Sequence, residues 1–464
     1  MLNKPQTLRE HSAAYASGSM SPVDTVEWAL DNLDVAPHAF TLVTADRARQ
    51  EAAASEKRWR DGRQRGALDG APAAVKDLFD VAGTPTSAGS LVYKDGPIKN
   101  VDAPVVNSLS RAGVCLLGKT NLTEFAYSGL GINPHFGTPP NAYGSDKARI
   151  PGGSSSGAAI VVAKGLVPVS LGTDTAGSVR IPAAMNGLVG FKPSSSYYDR
   201  TAVFPLSTTL DSVGILARCV DDVRLIDAAL KGRKGAVRQP TGGLSGLLVF
   251  APEGIVTEKI EPAVAENYET ALRAVEKAGA TVVRCRVDEL DETMELISRH
   301  GAITGGEAAH IHRDLLASEE SSLIDPRVLV RLRMAQDMRA RDLVALLSVR
   351  DRLIGSLSGK LGPQALIAYP TVARTAPTIA ELEESEETYF SQNALILRNT
   401  MIGNYLDMPG ITLPSGIDGD GLPTGILFAT TTGREASLLT AAVELEAVLI
   451  EQLGPVSAAE ERLF

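Results

Sequence analysis

The stretch Pro151 to Pro182 reads PGGSSSGAAIVVAKGLVPVSLGTDTAGSVRIP. Two runs of small residues, Gly152 to Gly157 and Gly172 to Ser178, are joined by the apolar Ala158 to Leu171. Loops of glycine, serine and threonine do not fill a core. They bring backbone N–H groups and hydroxyls close to a ligand, because glycine has no Cβ to obstruct the approach. Both loops are expected to meet at one site that the rest of the chain supports, feeds or covers. Val167 to Leu171 reads as a strand feeding the second loop, and Pro182 suits the first turn of a helix after it.

Working outward, strands and helices interleave along the whole chain. Upstream, residues 7–34 read as two helices, the second starting at Ser21-Pro22, and 43–64 as a charged helix. Ala73 to Val75 and Val114 to Gly118 are short apolar strands. The run Thr120 to Glu124 matches a capping box and predicts a helix there. Gly129 to Tyr143 is a loop, in which His135 is either a site residue or an exposed loop histidine. Downstream, Gly214 to Ala217 is a strand and Val220 to Leu230 a helix. Leu247 to Ala251, a helix over 261–278 and Thr281 to Arg286 form a β-α-β unit with parallel strands. The span 288–362 is mostly helical, like a lid. Ala365 to Tyr369, Ile411 to Pro414 and Ile426 to Ala429 are further strands, and Glu435 to Gln452 closes the chain as a helix. This pattern predicts an α/β fold, one large domain over 1–464.

Totals narrow the function. The chain has 464 residues, 44% hydrophobic and 22% charged, which disfavours disorder. A net charge of −10 argues against a nucleic-acid surface. No uninterrupted apolar run reaches the length of a membrane span, and the first residues lack the apolar core of a signal peptide. Cys115, Cys219 and Cys285 are widely spaced, giving neither a disulfide framework nor a zinc pattern; each is expected to be a small buried residue in a cytoplasmic protein. Trp28 and Trp59 are expected to pack.

Several chemistries fail on the motifs. Neither small-residue loop carries a phosphate-binding glycine signature. Gly153 to Gly157 fits the G-x-S-x-G elbow with Ser155 as nucleophile, but Ser145 to Pro151 cannot be the strand that the elbow requires. His310 and His312 are two residues apart, not on one helical face, and no H-E-x-x-H occurs; a surface helix is the better reading. A hydroxyl nucleophile with a lysine base remains. Lys76, at a strand end, is the candidate. Taken alone, the stretch favours the plainer reading of a strand-end lysine paired with Asp77 or Asp80.

The motifs then converge. Gly70 to Asp77 (GAPAAVKD), Gly118 to Asn121 (GKTN), Gly152 to Gly157 (GGSSSG), Gly172 to Pro182 (GTDTAGSVRIP), Phe191 to Pro193 (FKP), Leu210 to Gly214 (LDSVG) and the LP-x-G pairs at 413–425 occur in this order. In this the sequence resembles the amidase signature family of serine hydrolases over nearly its whole length, and the resemblance implies that the single large α/β domain has a central mixed β-sheet covered by helices on both faces. The resemblance divides the domain into N-terminal helices (1–65), a signature core (about 66–220) and a C-terminal α/β part whose helical region, about 288–400, covers substrate.

The resemblance implies a triad of Ser178 as nucleophile, Ser154 as bridging serine after a cis peptide, and Lys76 as base. It implies an oxyanion hole from the backbone N–H groups of Thr175, Ala176, Gly177 and Ser178. The reaction implied is cleavage of a small or aryl/acyl amide through an acyl-enzyme, with no cofactor and no metal. Thr173 and Asp174 are expected to brace the loop, Asp174 as a capping carboxylate that Arg180 could hold. Tyr127, Phe136 and Phe204 are candidates for apolar substrate contacts, with ordinary packing an equal reading for each. Ala176 stands where most members have glycine, and Ser194 to Arg200 departs from the usual T-Y-G-R. The expected partner is a small-molecule amide, with no nucleic acid and no membrane; a homodimer is compatible. The alternative is the glutaminase component of a tRNA-dependent amidotransferase. The run Ala202 to Ser207 is closer to stand-alone amidases.

Overall fold

In the central strands, alternate side chains enter different cores, as a pleated strand requires. Leu366, Ala368, Ile411, Leu413, Ile426 and Phe428 pack with Tyr268, Leu272 and Leu438 of the helices Pro262–Lys277 and Glu435–Leu453. Their neighbours Ile367, Tyr369, Leu427 and Ala429 pack on the opposite face with Leu353, Leu357, Ile402 and Tyr405. Ala74, Leu117 and Leu216 join a third core under the helix Ser156–Ala163. Helices therefore cover both faces, as expected.

These relations come from a computed structural model that describes residues 5–144, 147–233, 243–362 and 365–453. The segments 1–4, 145–146, 234–242, 363–364 and 454–464, which the expected 1–464 domain includes, lie outside the described residues. The strands are β1 Phe40–Val43, β2 Pro72–Lys76, β3 Cys115–Thr120, β4 Val169–Asp174, β5 Val189–Lys192, β6 Ser212–Ala217, β7 Leu248–Glu253, β8 Thr281–Arg286, β9 Ala365–Pro370, β10 Gly410–Ile417 and β11 Pro423–Ala429. Among the described residues they form one sheet in the order β1-β3-β2-β4-β6-β5-β10-β11-β9-β7-β8. It is mixed: β2 runs parallel to β3 and β4, and β7 parallel to β8 and β9, whereas β4, β6, β5, β10 and β11 pair antiparallel in succession. Every residue of β2, β4, β6 and β9 is buried, which is why they read as short continuous apolar runs.

The two N-terminal helices, Leu8–Ser17 and Pro22–Asp31, each open with a capping box, on Thr7 and on Ser21. The region 288–362 is helical, led by Asp288–His300, Ile303–Ile311, Pro326–Gln336 and Ala340–Lys360. Among the described residues no helix is long and apolar enough to cross a membrane. Cys115 is buried as expected, whereas Cys219 and Cys285 are only partly so; all three thiols are free.

The helix expected from Thr120 to Glu124 is absent. Strand β3 runs to Thr120, and only a single 3-10 turn, Glu124–Ala126, follows. Asn121 spends its side chain elsewhere: Nδ2 donates to the carbonyls of His38 and Gly137, both at 2.8 Å, and Oδ1 accepts from Leu122 N. Glu124 is buried and accepts from Asp325 N at 2.6 Å instead of closing a cap. Phe125 and Ala126 then take left-handed backbone angles, φ +54° and +62°, which no helix allows.

Candidate active site

The C-terminal ends of the neighbouring parallel strands β2 and β4 bring Lys76 and Thr173 together. Lys76 is fully buried; its Nζ donates to Thr173 Oγ1 at 2.9 Å and lies 2.7 Å from Ser154 Oγ. The expectation that it pairs with Asp77 or Asp80 is not met. Asp77 turns to Lys119 and Asp80 to Lys99, so that among the described residues no carboxylate comes within ion-pair distance of Lys76. Burial pushes its ammonium from 10.5 down to about 7, against the opposing pull of Asp211 and Asp174.

Ser154 is fully buried, and the bond between Gly153 and Ser154 is cis. The first small-residue loop is fixed by backbone: Gly153 N donates to Gly129 O at 2.8 Å, and Ser154 O accepts from Thr123 N at 3.2 Å. It meets the second loop directly, since Ser155 N donates to Ser178 O at 3.1 Å. Ser178 is 3% exposed, and within the described residues its Oγ makes no hydrogen bond, to Ser154 or to any other group.

Only part of the second run is a loop. Gly172 to Asp174 continue β4, leaving Thr175 to Ser178 to turn into the helix Arg180–Met185. Asp174 does more than cap. It accepts from Gly177 N (2.9 Å) and Val179 N (3.1 Å), and pairs with the Arg180 guanidinium at 2.9 and 3.0 Å. Burial alone would raise its pKa; Arg180, Lys192 and Asn404 outweigh that and hold the carboxyl well below the usual carboxylate range. The helix Glu386–Tyr405 completes the brace: Thr400 Oγ1 donates to Ala176 O at 2.7 Å and Asn404 Nδ2 to Asp174 Oδ1 at 2.9 Å. That helix is buried on so many sides that it shows no amphipathic stripe, and the sequence reading missed it.

One expected oxyanion donor is already engaged, because Gly177 N–H points at Asp174. The N–H groups of Thr175, Ala176 and Ser178 have no acceptor among the described residues.

A cavity of about 200 Å³ borders this centre, lined by Thr173, Arg200, Val203, Thr208, Asp211 and others. Beside it lies an aromatic cluster. Phe204 stacks on Phe125 with ring centroids 6.1 Å apart, Tyr93 lies 5.4 Å from Phe204, and the Arg331 guanidinium sits 4.1 Å over the Tyr127 ring. Tyr127 and Phe204 thus share one cluster, covered by the helices Ile303–Ile311 and Pro326–Gln336; Phe136 lies outside it in a loop. His312 corrects the surface-helix reading: it is 2% exposed and 4.3 Å from the Phe125 ring, and burial pushes its imidazole down to about 4. His310 is exposed. His135 is not an exposed loop histidine either, since its side chain is 13% exposed and lies 3.4 Å from Glu124.

A family model described as Amidase matches residues 24–439. A 2-amino-5-chloromuconic acid deaminase of Comamonas testosteroni is 32% identical over 450 residues, 96% of each chain. The A-type component of the glutamyl-tRNA(Gln) amidotransferase of Anaeromyxobacter dehalogenans (strain 2CP-C) is 30% identical over 490 residues, covering 98% of this chain and 97% of that one. A crystal structure of an amidase superposes with a TM-score of 0.84 at 29% identity, covering 96% of this chain and all of that one.

Proposed function

The chain belongs to the amidase family, and from that premise we propose that Lys76, Ser154 and Ser178 form its catalytic relay. It is a hydrolase of carbon–nitrogen bonds, acting on a small or aryl/acyl amide. The observation that supports the relay is the buried Lys76 Nζ at 2.7 Å from Ser154 Oγ, with its pKa brought to about 7. A lysine of that kind is neutral often enough to act as a base.

Lys76 takes the proton of Ser154 Oγ, and Ser154 takes that of Ser178. The Ser178 oxygen forms a bond to the amide carbonyl carbon, and the negative charge that develops on the carbonyl oxygen is held by N–H groups of Thr175, Ala176 and Ser178. Such a donor is worth about 3–4 kcal/mol. The C–N bond breaks as the relay returns its proton to the leaving nitrogen. Water then adds to the acyl-enzyme, gives its proton to the relay and releases the acid and Ser178. Ser178 and Ser154 are not yet hydrogen-bonded here; catalytic hydrogen bonds commonly tighten only once substrate is seated.

Ser178→Ala is expected to abolish turnover while leaving the fold intact, and a fluorophosphonate is expected to label Ser178 in the unaltered enzyme. Substantial turnover by Ser178→Ala would sink this assignment. We place the enzyme in the cytoplasm, in keeping with its three free thiols. The glutaminase alternative draws on the amidotransferase relative. A purified chain that hydrolyses simple amides alone, and gains no glutaminase activity from added amidotransferase components, would exclude it.

A further inference from the structure

We propose that Asp211 is a positioning residue for hydrolysis, holding the oxyanion loop through Thr175 and supplying, near Lys76, a negative charge that no ion pair among the described residues takes up. The inference rests on the reading of Lys76 as base. Asp211 Oδ1 accepts from Thr175 Oγ1 at 2.6 Å, while Oδ2 accepts from Leu206 N at 3.0 Å and Ser207 N at 3.1 Å. Burial raises the pKa of this carboxyl, and the three donors, with the nearby Arg200 guanidinium, oppose the rise. Donors alone converge on the group and no acceptor does, which favours the ionised carboxylate. One side chain therefore ties the turn before β6 to the first residue of the oxyanion loop.

The same carboxylate borders the lysine's compartment. Asp211 and Thr173 line one cavity, and Thr173 Oγ1 takes a hydrogen bond from Lys76. The other charges nearby are matched: Asp174 by Arg180, and Asp77 by Lys119. Lys192 lies near Asp174. Arg200 donates to the carbonyls of Asp211 (2.8 Å) and Thr208 (3.1 Å). Among the described residues Asp211 has no ion-pair partner within 4.0 Å. Its charge favours the ammonium form of Lys76 and so opposes burial, keeping the base close to neutral pH, where proton transfer is most effective.

The test is the rate at which a fluorophosphonate labels Ser178, followed from neutral to acid pH. In Asp211→Asn the acid limb is expected to move to lower pH, so that below the wild-type midpoint the variant keeps a several-fold larger share of its own plateau rate. In Thr175→Val, which retains the charge but loses the tether, the limb is expected to stay in place while the plateau falls about tenfold or more. An acid limb unmoved or raised in Asp211→Asn, or an unchanged plateau in Thr175→Val, overturns the proposal. Should Asp211→Asn fail to fold, the Thr175→Val plateau decides alone. Absence of any acid limb in the wild-type enzyme would instead strike at Lys76 as base, a separate failure.

Discussion

Asp77 follows Lys76 in the chain, yet its carboxylate lies 2.5 Å from Lys119 Nζ on the adjacent strand β3. Thr41 Oγ1 donates to it at 2.8 Å, and Ser87 Oγ also binds it. Burial pushes the Lys119 ammonium down, and Asp77 counters that. Asp77→Ala would strand Lys119 as a buried, unmatched charge. The expected cost is about 3–5 kcal/mol, read as a lower midpoint in urea unfolding. A cost under about 1 kcal/mol would mean that water reaches Lys119 and replaces the partner.

Because Asp77 is committed to Lys119, Lys76 has hydroxyls for neighbours and, among the described residues, no ion pair. With the Lys76 pKa lowered to about 7, the base is protonated below that pH and neutral above it. The value of kcat/KM for any accepted amide is therefore expected to fall about tenfold for each pH step below the limb, and to level off above it. Lys76→Arg should not recover at high pH, since a guanidinium stays protonated throughout the working range. A flat acid profile, or an active Lys76→Arg enzyme, would count against a neutral lysine.

Gly177 has φ +131°, and a Cβ built there would lie 2.1 Å from Thr400 Oγ1. Gly177→Ala is therefore expected to push the loop off Thr400 and lower kcat by about a hundredfold, because small displacements of catalytic groups are that costly. Adding Thr400→Ala relieves the clash but not the backbone angle, so rescue should be partial. Ala176→Gly, by contrast, leaves every named hydrogen bond in place and should retain activity. Full activity in Gly177→Ala, measured with the same amide, would contradict this account of the loop.

The legibility of this chain follows its physics. The β7–helix–β8 unit and the fully buried strands announced themselves through apolar runs set between turn residues. The proposed relay of Lys76, Ser154 and Ser178 rests on the motifs taken together and in order, since each residue alone has an ordinary structural reading. Four-residue strands such as β1 and β5 were missed, being too short to show a period. The capping box at Thr120 to Glu124 misled because the side chains that would cap a helix are bonded to residues distant in sequence, His38 and Asp325 among them. His312 read as a surface residue because the helical region around it is rich in charge; it sits at the turn between the helices Ile303–Ile311 and Arg313–Leu316, and its packing on Phe125 and Phe204 buries it. The bond from Asp211 to Thr175 has no local signature at all.

Glu307, on the helix Ile303–Ile311, binds a single turn through both carboxylate oxygens. It accepts from Thr208 Oγ1 (2.9 Å), Thr209 Oγ1 (2.6 Å) and Thr209 N (3.1 Å), and also from Ser207 Oγ. Ser207 N in turn reaches Asp211, so the helical cover is latched to the turn that carries Asp211 and borders the cavity. Glu307→Ala removes the latch without touching the proposed relay. Turnover is expected to fall about tenfold or more as the turn loosens, while the acid limb set by Lys76 stays where it was. Glu307→Gln keeps one acceptor oxygen and should fall between the two. Wild-type turnover in Glu307→Ala across a panel of amides would show that the cover and the turn hold their places independently.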